Sequence, residues 1–319
     1  MSRPVLSLSL PPALKSKLIN NGFYTVRDFD EVTSTDDLLQ FLSDAEMHQV
    51  AHLARVQPMA RPALALFEEA RRKDSFLTHI PELDRLLGGK GMQLSGGSVC
   101  EVTAKPGGGA LELCLHLCMA VQIPLEHGGA GKGAVYLDTT GGFVHSGAAR
   151  AARAMERWLN KSNAPPITAG DNVAAFLGRI SVLRIFAAHE LVAVLDAFDD
   201  IYNSLNNDVG VLVVNTVSWP LLVSVPDNIF NRQALQGEVA RLLVQIAAKH
   251  HIAVVLVSQA KSVSSDAKIV PLDGDVWGRI SANRIAIDRA SADSKYVVEL
   301  LGSSSHPTGR ALVEFCIAD

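Results

Sequence analysis

Two stretches of this chain, Val209-Gly210-Val211-Leu212-Val213-Val214-Asn215 and Ile252-Ala253-Val254-Val255-Leu256-Val257-Ser258, are apolar at almost every position. A strand with one wet face alternates apolar and polar residues, so a run without alternation has to be covered on both faces. Helical stretches flank both runs. The combination predicts a parallel sheet between two layers of helices, because parallel neighbours need a long crossover. Three further β-type runs, 98–103, 134–138 and 180–185, fit the same sheet. Helical patterns fall between the strands, for example at 111–122, 189–205 and 232–250. The last runs, 284–288, 296–301 and 311–317, follow one another without helices and predict an antiparallel extension.

Composition agrees with a large core. The chain has 319 residues, 48% hydrophobic and 19% charged, which excludes wholesale disorder. Its net charge of −4 argues against a protein that holds DNA mainly by its own charge. Cys100, Cys114, Cys118 and Cys316 show no metal spacing, so they read as buried thiols of a reducing compartment. His48 and His52 stand four apart, but no further ligand joins them and they read as a helix face. No run reaches about 18 apolar residues and the N-terminus has no apolar signal region, which predicts a soluble intracellular protein.

Residues 1–55 read as a small helical domain. Pro11 and Pro12 open a helix with Leu14, Leu18 and Ile19 on its apolar face, and Asn20-Asn21-Gly22 ends it. Further helices begin near Thr25 and after Ser34 and Thr35, and Ser43 precedes Glu46 at capping-box spacing. Residues 56–76, with Pro58 and Pro62, read as a linker, and 77–319 as the α/β core.

Between the first core strand and its helix lies Ala104-Lys105-Pro106-Gly107-Gly108-Gly109-Ala110-Leu111. This is where a phosphate-binding loop would sit, its backbone N–H groups and helix N-terminus facing the phosphates. The consensus GxxxxGK[ST] falls on 104–111, and only Gly109 matches a fixed position. Ala104 replaces the first glycine, Ala110 the lysine and Leu111 the hydroxyl residue. The run is either a plain strand-to-helix turn or a relic of such a loop, and the other strands favour the relic. Glu112 would repel phosphate by roughly 3 kcal/mol at about 6 Å and an effective dielectric of about 20. Lys105 could compensate only from the far side of the turn. Four apolar residues ending in Asn215 mark a metal-holding strand whose acid has become an amide. After 135–138 comes Thr139-Thr140, with no carboxylate to activate water; Asp138 itself reads as a strand-end or capping residue.

The arrangement resembles the eukaryotic RecA-family recombinases, most of all their paralogues, and among those the D paralogue. The likeness covers nearly the whole chain. Pro81-Glu82-Leu83-Asp84-Arg85-Leu86-Leu87-Gly88-Gly89 is similar to the family's entry into its core, Tyr136-Leu137-Asp138-Thr139 to its second core strand, and Val257-Ser258-Gln259 to its nucleotide-sensing strand end. Trp277-Gly278-Arg279 and Ser303-Ser304-Ser305-His306-Pro307-Thr308-Gly309 resemble late motifs of the D type. The resemblance implies a RecA-like ATPase-type core behind a helical domain. It also implies a nucleotide site at Ala104, Lys105, Gly107, Gly108, Gly109, Ala110, Leu111, Asn215 and Gln259. The departures at 110, 111, 140 and 215 argue against carrying over ATPase activity, so no cofactor is expected and ATP with Mg²⁺ is disfavoured.

What the resemblance implies instead is assembly, as a non-catalytic or weakly nucleotide-binding subunit of a recombinase-paralogue complex; the alternatives are an active DNA-dependent ATPase or recombinase with a non-standard nucleotide site and a RecA-fold scaffold in an unrelated assembly. The expected partners are other recombinase paralogues, a C type through the N-terminal domain and an X type through the core, and the recombinase filament. The expected compartment is the nucleus, with a cytoplasmic pool allowed. Phe67-Glu68-Glu69-Ala70 matches the family's FxxA anchor, in which Phe67 and Ala70 plug a neighbour; the alternative is a linker helix whose Phe67 packs on its own core. Residues 260–284 correspond to a DNA-facing loop, with Lys261, Lys268, Trp277, Arg279 and Arg284 as candidates. Asp266, Asp273 and Asp275 offset their charge. Trp277 either stacks on a base or packs beneath the loop, and packing is favoured. Residues 219–234 carry only Arg232, so DNA contact is expected to need partner subunits.

Overall fold

In a computed structural model the unbroken apolar runs lie at the centre of one eight-stranded sheet. The structure describes residues 4–8, 10–25, 28, 41–43, 46, 50, 75–94, 98–162, 171–205, 208–225, 229–261, 271–272, 276–290, 295–304 and 306–314. The described strands are β1 (Ser75–Phe76), β2 (Met92–Gln93), β3 (Val99–Ala104), β4 (Gly133–Asp138), β5 (Ile180–Arg184), β6 (Val209–Asn215), β7 (Ala253–Gln259), β8 (Asn283–Arg289), β9 (Lys295–Ser303) and β10 (Gly309–Glu314). The large sheet runs β10-β9-β8-β3-β7-β6-β4-β5, and β1 pairs separately with β2. From β8 to β5 every neighbour is parallel. Only β9 and β10 are antiparallel. The run expected to begin the antiparallel extension, β8, is thus the last parallel strand. The stretch between β7 and β8 makes the crossover that parallel pairing requires, with a single 3-10 turn at Trp277–Arg279 as its described helix.

The described helices are α1 (Pro12–Asn20), α2 (Pro81–Leu86), α3 (Ala110–Ala120), α4 (His145–Lys161), α5 (Asn172–Gly178), α6 (Ala188–Asp196), α7 (Phe198–Ser204), α8 (Ser218–Ser224) and α9 (Ile229–His250). The single helix expected over 189–205 is two, broken at Ala197, with Asp199 and Asp200 in the first turn of α7 where the helix dipole favours acids.

Alternation within each buried strand assigns its residues to two cores. Val211 and Val213 join Tyr136, Cys114, Cys118 and Phe176 beneath α3, α4 and α5. Leu212 and Val214 face Leu191, Phe198, Leu221 and Leu243 beneath α6 to α9. Two motifs over 200 residues apart in sequence meet at one side. Gly88, at a φ of +72°, lies so close to the His306 ring that a Cβ would enter it, and Gly309 sits against Leu86.

The chain divides into two compact units, Met1–Glu68 and Glu69–Asp319. In the first, Val5, Leu8, Leu10, Leu14, Leu18, Leu42 and Val50 form a small core. The capping box is present: the Ser43 backbone N–H donates to Glu46 at 2.9 Å and the Glu46 N–H returns to Ser43 Oγ at 3.4 Å. These bonds, with Lys17 at 3.0 Å, lower the Glu46 carboxyl to about 2. Residues 56–74 lie outside the described residues; Ser75 and Phe76, expected in the linker, form β1.

Candidate functional site

The glycine run makes a tight turn from β3 into α3. Gly107 (φ +74°) and Gly109 (φ +101°) take left-handed conformations that favour glycine. Gly108 N–H closes a turn onto Lys105 O at 2.9 Å, and Gly109 caps α3. The N–H groups of Ala110, Leu111 and Glu112 find no backbone acceptor among the described residues, as at any helix start. The side chains are arranged otherwise. Ala110 and Leu111, standing where a lysine and a hydroxyl would be, pack against the hydrophobic core. Ala104 is buried and its carbonyl accepts from Ala260 N at 2.8 Å. Lys105, expected to lend its charge to the loop, is paired with Asp288 on β8 at 2.9 Å.

The hairpin of β8 and β9 holds this loop from one side. A Cβ at Gly109 would run into the ring of Tyr296, and one at Gly108 would press on the carbonyl of Ile287. Sequence reasoning missed Asp288 and Tyr296. Their only signal is membership of two late strands, and nothing local says that these strands reach the loop.

Asn215 ends β6 with 7% of its surface exposed. Its amide donates to the Tyr136 hydroxyl at 2.7 Å, and the Tyr136 ring meets Phe143 edge-on, centroids 4.9 Å apart. Burial pushes the Tyr136 hydroxyl well above the ordinary phenol range. Thr139 Oγ1 donates to Thr216 O at 2.6 Å and accepts from Thr216 N–H at 2.7 Å, tying β4 to the end of β6. Thr140, at the position for a water-activating acid, is exposed. The Asp138 carboxylate accepts the N–H groups of Thr140, Gly142 and Phe143 at 3.1 to 3.3 Å, which is the strand-end role expected of it. Gln259 N–H donates to Ser218 Oγ at 3.2 Å, and its side chain is half-buried beside the loop strand.

On the opposite face of β3 a fully buried carboxylate, Glu101, accepts from Ser258 Oγ at 2.9 Å and from Arg284 Nε at 2.8 Å. Ser258 is also 3.0 Å from Thr103 Oγ1. Arg284, expected to begin a strand and also to serve the DNA-facing loop, does lie on β8, and its guanidinium is turned inward to Glu101, because a buried carboxylate without a cation is costly. Trp277 is fully buried in the second core, so it packs beneath the loop and offers no stacking platform. Lys261 and Arg279 are exposed. Lys268, Phe67 and Ala70, with His48 and His52, lie outside the described residues. Cys100, Cys114 and Cys118 are buried free thiols, all raised by burial.

A model of the Rad51 family matches residues 74–317. The chain belongs to the Rad51 family. Relatives of this Rad51-family chain include "DNA repair protein RAD51 homolog 3" of Cricetulus griseus, 26% identical over 309 residues, covering 89% of this chain and 83% of that one. "DNA repair and recombination protein RadA" of Cenarchaeum symbiosum (strain A) is 24% identical over 319 residues, 95% of this chain and 75% of the relative. The RAD51 homolog 3 of Dictyostelium discoideum is 25% identical over 222 residues, 67% and 57% of the two chains. The fold is RecA-like and the chain is a RecA-family recombinase paralogue, as its motifs imply.

Proposed function

We propose that this Rad51-family chain serves homologous-recombination DNA repair as a non-catalytic subunit of a recombinase-paralogue complex that supports recombinase filaments. One observation carries the reading: Ala110 and Leu111, at the positions of the phosphate-facing lysine and the metal-holding hydroxyl, are half-buried apolar side chains that pack against the core. A magnesium-bound nucleotide requires a cation at the phosphates and oxygen ligands around the metal. Residues 110, 111 and 215 offer a methyl, an isobutyl and an amide already bonded to Tyr136. The side chains do not fit that group. The names of the relatives, all DNA repair proteins, support the repair role, and with it the nucleus. Among the described residues no helix is long and apolar enough to cross a membrane. In this reading a C-type paralogue binds the first unit, an X-type paralogue the core, and DNA is met together with these partners.

A second reading rests on the amides of Ala110, Leu111 and Glu112, which could still take up an anion in a nest of backbone dipoles. One experiment separates the two. The chain is purified by affinity from its native source, its partners are identified by mass spectrometry, and the complex is titrated with a fluorescent ATP analogue with and without Mg²⁺. Recombinase paralogues in the eluate and no Mg²⁺-dependent nucleotide binding by this chain are expected. A monomer without partners sinks the first reading, and Mg²⁺-dependent binding lost on Gly107→Asp favours the second.

A further inference from the structure

We propose that the outward face of α4 is a binding surface for the phosphate backbone of nucleic acid. Helix α4 is His145-Ser146-Gly147-Ala148-Ala149-Arg150-Ala151-Ala152-Arg153-Ala154-Met155-Glu156-Arg157-Trp158-Leu159-Asn160-Lys161. Its inner face buries Ala148, Ala151, Ala152, Met155 and Leu159 beside α3 and α5. The outer face exposes Arg150, Arg153, Arg157 and Lys161. At 100° per residue, Arg150, Arg157 and Lys161 project within about 40° of one another, with Arg153 about 60° to one side. The stripe is about 17 Å long, and one duplex strand carries a phosphate about every 3.4 Å of axis.

Ordinary helix stability does not account for this pattern. A solvated face normally mixes signs at i, i+3 and i+4. Here Arg150–Arg153, Arg153–Arg157 and Arg157–Lys161 are like-charge neighbours, each mildly destabilising. The helix dipole rewards a cation only in the last turn, which holds Lys161 alone. No ion pair engages any of the four among the described residues, whereas Lys105, Lys132 and Lys249 all have acidic partners. The acid within α4, Glu156, is half-buried. Facing elements supply little counter-charge. Asp171, before α5, directs its carboxylate to the N–H groups of Val173 and Ala174, and Glu112 of α3 is half-buried. In a chain with a net charge of −4, a continuous unneutralised basic stripe fits a polyanion. A row of guanidinium groups suits phosphate oxygens in particular.

The surface is distinct from Lys261 and Arg279 beyond β7, and this separates the possibilities experimentally. The full-length chain, with any partner it retains, is titrated into labelled oligo(dT) and into a mixed-sequence duplex from 50 to 200 mM salt. Four contacts predict that affinity falls about 50-fold for the single strand and about 150-fold for the duplex across that range. R150E/R153E/R157E, checked for native circular dichroism, is expected to weaken binding by at least about tenfold and to flatten the salt dependence, with the Gln triple variant in between. K261A/R279A is measured beside them, and the α4 variants are expected to lose affinity and salt dependence by their own factor whatever the loop variant loses. The proposal is overturned if wild type binds neither nucleic acid at 50 mM salt. It is also overturned if the loop variant loses binding while the α4 variants keep it, or if the stripe captures a polyglutamate peptide and no nucleic acid.

Discussion

Tyr136 and Asn215 show how a buried amide at the end of β6 is held. The losses at 110, 111 and 215 were legible in the sequence, because each is a change of functional group at a fixed spacing. The replacement contacts were not, because Asn215 finds its hydroxyl partner 79 residues away and Lys105 its carboxylate 183 away. Tyr136→Phe removes the acceptor of the buried Asn215 amide and is expected to cost about 1 to 3 kcal/mol in urea denaturation; an unchanged midpoint would mean the amide finds another partner. Arg284→Ala removes the cation 2.8 Å from the buried Glu101 carboxylate and is expected to cost about 3 kcal/mol. Glu101→Gln in the same background should recover part of that, because an amide is cheaper to bury than an unpaired charge. Full retention of stability in Arg284→Ala would count against the pair as a structural element.

At the level of elements, the strands were the most legible part of the fold. A run such as Val211–Val214 has no other explanation than burial on both faces, and β6 spans the residues expected of it. Helix α4 carried a weaker signal, since its buried positions are mostly alanines that barely raise hydrophobicity. The direction of β8 was not legible at all. Whether a strand joins parallel or antiparallel depends on the path of the stretch before it, and residue types on the strand do not record that path. The β8–β9 hairpin now has a testable role as support for the glycine turn. Gly109→Ala meets both a left-handed φ and the Tyr296 ring, and is expected to destabilise by about 2 kcal/mol or more. Adding Tyr296→Ala should relieve the steric part and leave roughly 1 kcal/mol of backbone cost. Strict additivity of the two, read from a double-mutant cycle, would show that the ring and the turn do not touch.

For the molecule as a whole, the buried imidazole of His116 and the half-buried one of His79 set a lower limit of pH. Burial lowers both His79 and His116 to about 4 from the ordinary imidazole value of 6.5. His116 is held against Thr78 O at 2.6 Å, and His79 lies against Trp158. The unfolded chain binds these protons below about pH 6.5 while the folded chain resists them to about 4. Stability is therefore complete above 6.5 and drains as pH falls through that window, by up to about 3 kcal/mol for each ring. Chemical denaturation between pH 7 and pH 4.5 should show the loss, with a shallower slope in His116→Gln; a flat profile would mean that the rings are already hydrated. The position of β3 has a different kind of consequence. The side chains that satisfy Glu101 lie 157 and 183 residues farther along the chain. At a ribosomal rate of roughly 5 to 20 residues per second, β3 waits about ten to forty seconds for its two neighbours. Until β7 emerges, a growing polypeptide carries β3 with both edges unmatched, and an unmatched strand edge is open to pairing with another nascent chain.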